Sequence, residues 1–210
     1  MPASYLLWLR LGARVKVTLA VPVLLSLALS ACTASPDPVR TKVVAPQRVV
    51  SLVPTVTETL FALGAGDRVV GVSDFDNYPL EAMERPRVGA LINPNVEKIF
   101  QLQPDLVITF GTQSLLQERL GAAGIRQYAF TSGSIQHVLD SIRALGREMD
   151  LAEEGDRLSD EITAGLDAIR KSSNDNRPRV LLAHNREIGT MGSFYTGGSR
   201  SYFDELIEIT

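Results

Sequence analysis

From Arg48 onward the chain alternates two patterns: short valine-rich apolar runs, and stretches whose apolar residues recur every three or four positions. Runs of the first kind read as buried strands and those of the second as amphipathic helices. Arg48–Val53 is the first run. Pro54 stops it, and Thr55 with Glu58 three residues on predicts a capping box that opens a helix. Val56, Leu60 and Leu63 give that helix an apolar face, and Gly64–Gly66 ends it. Arg68–Val72 is a second buried run, closed by the polar and aromatic loop Ser73–Pro79. Strand, helix, strand in this order is the unit of a parallel sheet, whose ligands sit beyond the carboxyl ends of the strands. Pro54 and Thr55 meet that edge, as do Phe75 and Tyr78 in the loop.

The alternation continues. A short helix is expected near Leu80–Met83, a small strand at Arg87–Ala90 and a loop at Leu91–Pro94. Asn95 is placed to cap a helix running to about Leu102, with Glu97 in its first turn. Leu106–Phe110 reads as a third buried strand, Ser114–Gly121 as a helix and Arg126–Phe130 as a fourth strand. Helices are therefore expected on both faces of a parallel sheet. Two helices follow without an intervening strand, Ser134–Met149 and Leu151 to about Ser173. The second is about 34 Å long at 1.5 Å per residue. It reads as a strut toward a second lobe, or as one more surface helix of the first. After a turn at Asn174–Pro178, Arg179–Ala183 is expected to be a buried strand with His184-Asn185-Arg186 as its C-terminal loop. Met191–Tyr195 is expected to be a short strand, and a helix is expected from Ser201 to the end at Thr210. Two strands and one helix cannot bury a full second core, so the second lobe is expected to be incomplete in this chain.

The first residues follow different rules. Arg10, Arg14 and Lys16 precede an apolar run, Val17–Leu29, which is short for a bilayer span but suits a signal-peptide core. It ends in Leu29-Ser30-Ala31-Cys32, which resembles a bacterial lipobox and implies cleavage before Cys32 and a lipid anchor on it. Residues 32–46 are rich in Pro, Thr and Ser and read as a flexible tether. The expected organisation is a leader at 1–31, the tether at 32–46, an αβ lobe at 47–133, a helical region with the interlobe helix at 134–177, and the start of a second αβ lobe at 178–210.

Composition narrows the function. A net charge of −3 gives no basic footprint for nucleic acid. Two histidines and one cysteine argue against a histidine-rich metal site and against an internal disulfide. No Gly-x-Ser-x-Gly elbow is present, and Cys32 is assigned to lipid, so no activated nucleophile supports an enzyme. Gly64-Ala65-Gly66 ends a helix instead of opening one and is not a dinucleotide fingerprint.

Three segments carry a resemblance: RVVSLVPTVTETLFALGAGDRVVGVSDFDNYP, NPNVEKIFQLQPDLVI, and the Gly197-Gly198-Ser199-Arg200 loop after Tyr195. Together they resemble the periplasmic substrate-binding proteins of ABC importers, in the class joined by a rigid helix, with the cobalamin binder as the nearest pattern and siderophore and haem binders as relatives. The resemblance implies an α/β fold of two Rossmann-like lobes, a ligand cleft between them, and docking to a membrane permease. It implies no catalytic role and no resident cofactor; the bound species would be a transport ligand such as cobalamin, haem or a ferric siderophore. Phe75 matches an aromatic position packed on the corrin ring. Leu91 and Phe110 stand where the cobalamin binder has tryptophans, and His184 stands on a second-lobe phenylalanine. The loss of one aromatic at Leu91 leaves a large, flat apolar ligand as the shared expectation. Glu97 matches a glutamate that pairs with permease arginines. Tyr195, Ser199 and Arg200 would border the cleft from the second lobe.

Plainer roles stand beside these. Phe75 and Tyr78 also suit loop anchors, Phe110 the last core residue of a strand, and Glu97 a partner of the helix dipole. His184 also suits a hydrogen-bonded histidine or an axial ligand, and the glycine loop an anion site. An extracytoplasmic αβ enzyme or a metal-ion importer's binding protein remain the alternative functions.

Overall fold

A four-stranded parallel sheet, in the order β2-β1-β5-β6, forms the centre of the computed structural model. The structure describes residues 44–173, 178–186, 194–196, 199 and 201–209. The sheet strands are β1 (Val49–Ser51), β2 (Val69–Val72), β5 (Leu106–Phe110) and β6 (Arg126–Phe130). Between β1 and β2 runs α1 (Pro54–Ala62), and after β2 come α2 (Leu80–Met83), β3 (Gly89–Ala90), β4 (Asn93–Pro94) and α3 (Val96–Gln101). α4 (Ser114–Ala122) connects β5 to β6. Then come α5 (Ile135–Glu148), α6 (Ala152–Ser172), β7 (Ala183–Arg186), β8 (Phe194–Thr196) and α7 (Tyr202–Ile209).

Alternation along the buried strands divides the core in two, because successive side chains point to opposite sheet faces. Val49, Leu106 and Ile108 pack with Val56 and Leu60 of α1 and with Ile142 and Leu145 of α5. Val50, Leu52 and Val107 pack on the other face with Ile99 of α3 and with Leu116 and Leu120 of α4. The sheet is thus covered on both faces, as its continuous apolar strands require. β1 sits between β2 and β5 and is fully buried.

α5 and α6 pack closely through two glycines. A Cβ added at Gly155 would stand 3.2 Å from the Cα of Gly146, and one added at Gly146 would stand 2.8 Å from the carbonyl oxygen of Leu151. The contact leaves no room for a side chain at Gly146 without a backbone shift and crowds one at Gly155. Arg143 of α5 adds ion pairs to Asp156 and Asp160 of α6 at 3.6 and 3.0 Å, which are exposed and weak individually.

Several local expectations are corrected. Thr55 does not cap α1: Pro54 is already helical, and Val53 stands at the cap with no side-chain bond. Proline suits the first helical position because its missing N–H would have no partner there and its φ is preset. Asn93–Pro94, expected in a loop, pairs antiparallel with Gly89–Ala90. The expected buried strand at 179–183 begins at Ala183 and takes in His184, Asn185 and Arg186, which were expected to be a loop. It pairs antiparallel with β8 as a two-stranded ribbon, and Val180 and Leu181 before it are exposed.

Candidate functional site

The carboxyl ends of β2, β1, β5 and β6 open on one edge of the sheet, and most of the sequence-predicted site residues that are described gather there. Pro54 and Thr55 follow β1, Phe75 and Tyr78 lie in the loop after β2, and Phe110 is the last residue of β5. Phe75 and Tyr78 are 69% and 65% exposed, so neither anchors its loop by burial. Phe110 is half-buried and meets Phe130, the end of β6, edge to face at 6.1 Å between ring centres. Aromatic pairs favour this geometry because the positive edge of one ring meets the negative face of the other.

Two recesses lie at this edge, and Phe110 lines the first of them. One lies between α1 and α5, has a volume of 370 Å³, and takes Thr55, Phe110, Phe130 and Tyr202 into its wall. The other has a volume of 480 Å³ and lies over Leu91, Ile92, Gln113 and Leu115, with Arg119 at its margin. Ile92 is 92% exposed there. Leu91 and Phe110 thus belong to one edge although they are far apart in the chain.

Gln113 ties them together. Its side-chain oxygen accepts from the backbone N–H of Phe110 at 2.8 Å, and its side-chain nitrogen donates to the carbonyl of Leu91 at 2.8 Å. Gln117, one turn on, donates to Thr109 Oγ1 at 3.0 Å and to the Phe110 carbonyl at 3.1 Å. Both backbone groups of Phe110 are therefore held by glutamines of the following loop and helix. In sequence Gln113 is an ordinary loop residue. Its signal was its position directly after a strand that ends on the ligand edge.

Asp76 is the other residue that the sequence left unremarked. It is 2% exposed, and neither carboxylate oxygen has a hydrogen-bond partner within the protein. The nearby Thr57 hydroxyl donates instead to Ser51 Oγ at 2.8 Å. Arg87 reaches under the loop and donates to the backbone carbonyls of Ser73 at 2.7 Å and Asp76 at 2.6 Å. Burial pushes the Asp76 pKa above 3.8, Glu58 adds to this, and Thr57, Ser73 and Arg87 oppose it. A carboxyl whose folded pKa is raised favours the folded state fully below 3.8, and that contribution is lost as pH rises through the raised value. Asp76→Asn should therefore gain stability relative to wild type as pH increases. Melting curves of both proteins across pH 4–7 check this, and parallel pH profiles would refute it.

Glu97 is exposed in the first turn of α3, beside the second recess, which Pro94 and Val96 help to line. Asn95 caps that helix as expected, accepting from the Lys98 N–H at 2.9 Å. His184 lies within β7, and Tyr195 lies within β8 opposite Asn185. Ser199 is exposed in a turn ahead of α7. Cys32, Gly197, Gly198 and Arg200 lie outside the described residues. α7 nevertheless reaches the edge: the Tyr202 N–H donates to the Gly133 carbonyl at 3.0 Å, and Glu205 accepts from the Ile135 N–H at 2.6 Å. Among the described residues, no group of three or more His, Cys, Asp or Glu side chains is placed to hold a metal ion.

Residues 49–210 match the family model described as periplasmic binding protein. An uncharacterised ABC transporter substrate-binding lipoprotein of Bacillus subtilis, YvrC, is 31% identical over 173 residues, covering 78% of this chain and 54% of that protein. The vitamin B12-binding protein of Vibrio campbellii is 32% identical over 130 residues, covering 61% of this chain and 47% of that protein. The chain thus spans about half the length of these curated relatives. Among solved structures, the periplasmic haem-binding protein RhuT of Roseiflexus superposes with a TM-score of 0.69 at 27% identity, over 78% of this chain and 63% of that one. The vitamin B12-binding protein BtuF of Vibrio cholerae gives a TM-score of 0.57 at 31% identity, over 63% and 53%.

Proposed function

Because the chain belongs to the periplasmic binding protein family, we propose that it captures a large, flat, mostly apolar ligand outside the cytoplasm and delivers it to an ABC permease. The ligand class is a cobalamin-like macrocycle or an iron chelate. One observation carries this reading: exposed aromatics and apolar recesses lie on the edge where the strands end, with Phe110 in the wall of one recess and tied through Gln113 to Leu91 of the other. Such an edge is where α/β sheets take ligands, and apolar walls with a few fixed polar groups suit the face of a macrocycle. The names of the B12- and haem-binding relatives support the same ligand class.

In this reading residues 47–133 form the first lobe and α6 leads toward the second. His184, Tyr195, Ser199 and Arg200 face the ligand from the far side. Glu97 docks on the permease, and Cys32 carries the lipid that keeps the protein at the membrane surface.

Calorimetric titration of the chain with cyanocobalamin, haemin and a ferric hydroxamate siderophore tests the function. One of the three should bind saturably, and no binding by any of them would overturn the ligand class. Gln113→Ala leaves the Phe110 N–H and the Leu91 carbonyl without their partner, a loss of about 1–3 kcal/mol. Part of that loss falls on the ordered site, and a share of about 1.4 kcal/mol would weaken ligand binding roughly tenfold. Gln113→Glu keeps the acceptor for Phe110 and should fall between the two. Unchanged affinity in Gln113→Ala would remove Phe110 and Leu91 from the ligand surface.

A further inference from the structure

The recess between α1 and α5 is unusual in its charge. Val56, Val138, Ile142 and Leu145 form its apolar interior, and no Asp, Glu, Lys, Arg or His is among the described residues that line it. Six hydroxyls line it, those of Thr55, Ser132 and Tyr202 and three that are committed within the protein. Thr59 donates to the carbonyl of Thr55 at 2.8 Å and Ser141 to that of His137 at 2.8 Å, each within its own helix. The Tyr128 hydroxyl is directed at the Ser141 carbonyl, at 3.4 Å. A carboxylate placed inside would lose its water and meet neither a cation nor an uncommitted donor among these three hydroxyls. An apolar group would lose nothing of the kind. Apolar cavities of about 150 Å³ stay dry and hold benzene, so 370 Å³ leaves room for a substituted ring.

We propose that the ligand of this site carries an uncharged apolar arm, an aromatic ring or branched alkyl group standing out of its plane, which inserts between α1 and α5, and that the recess rejects the same arm when it bears a carboxylate. The inference rests on the reading that this edge takes the ligand, and it narrows the ligand class by charge. The open mouth fits it, because Thr55 and Phe110 belong both to the recess and to the edge, so an arm can enter while the ligand's plane lies on Phe110.

The test uses the full chain and two probes that differ in one substituent, a methyl in p-xylene and a carboxylate in p-toluate. In methyl-resolved NMR, p-xylene should shift the Val56, Val138 and Leu145 resonances saturably, and p-toluate should bind at least tenfold more weakly. Thr59→Phe, which fills the recess, should abolish the p-xylene response, and the near-isosteric Thr59→Val should keep it. Equal binding of the two probes, or no response of these methyls in wild type, would overturn the proposal. Cyanocobalamin or haemin, whichever binds, should displace p-xylene. A macrocycle that binds while p-xylene stays in place would overturn the insertion and leave the importer reading intact. Failure of every macrocycle to bind, with p-xylene still preferred over p-toluate, would support the recess chemistry and count against the importer reading alone.

Discussion

Glu97→Arg is expected to cut uptake about 30-fold or more in a reconstituted importer while ligand affinity stays at the wild-type value. The expectation follows from two features of the α3 start. Asn95 fixes the first turn by accepting from the Lys98 N–H, so the backbone at Glu97 does not wander. Glu97 itself is exposed in that turn, where a partner can reach it. If it pairs with a permease arginine, losing one partner of a desolvated charge pair costs about 2–5 kcal/mol, and a like charge adds repulsion. If it only complements the helix dipole, its removal costs about 0.3–1 kcal/mol of stability and transport hardly changes. Uptake and ligand titration measured on the same preparations separate the two. Wild-type uptake from the arginine variant would rule out docking through this residue.

Gly89→Ala should lower the melting temperature by roughly 6–12 °C. Gly89 has φ +91°, a conformation that costs other residues about 1–3 kcal/mol. Crowding adds to this: a Cβ there would stand 2.6 Å from the carbonyl oxygen of Asn93 and 2.7 Å from the backbone nitrogen of Asn95. Both are backbone atoms, so the hairpin must open, which adds about 1–3 kcal/mol more. A total near 3 kcal/mol converts to that shift at about 2–4 °C per kcal/mol for a domain of this size. The displaced segment carries Leu91 and leads into α3, so the aromatic edge and Glu97 should move together. Differential scanning calorimetry gives the first reading, and an unchanged melting temperature would mean that the hairpin yields without strain.

The sequence reading was accurate where local pattern and tertiary structure agree. Leu80–Met83, Leu106–Phe110 and Arg126–Phe130 fall where they were expected, because proline, glycine or polar residues stand at or within two positions of each end. Asn95 was legible as a cap because its partner is three residues away. Apart from the helix start at Pro54, what the sequence missed traces to distant partners. β4 is a strand only because Gly89 and Ala90 lie against it. Thr57, unremarked in sequence, bonds to Ser51 and helps to fix α1 on β1. Gln113 acquires its role from Leu91, 22 residues earlier. Asp76 looks like an ordinary loop carboxylate until its burial is seen. At the site, the edge itself was legible from strand order, whereas the recess between α1 and α5 was not, since no pattern within either helix records a gap between them.

The glycine contact between α5 and α6 has a mechanical meaning. α6 has 21 residues and is about 31 Å long. Gly155, near its beginning, touches Gly146, and the ion pairs from Arg143 reach only as far as Asp160. Beyond Asp160 the helix still packs on the core through Ile162 and, through Thr163, Leu166 and Arg170, lines a recess shared with α5 and α7. A rotation of about 5° about Gly155 would carry the far end, at Ser172, through roughly 2 Å. Whatever follows α6 inherits its angle in part from two missing side chains, so the spacing of a cleft beyond it would be tuned partly at Gly146 and Gly155.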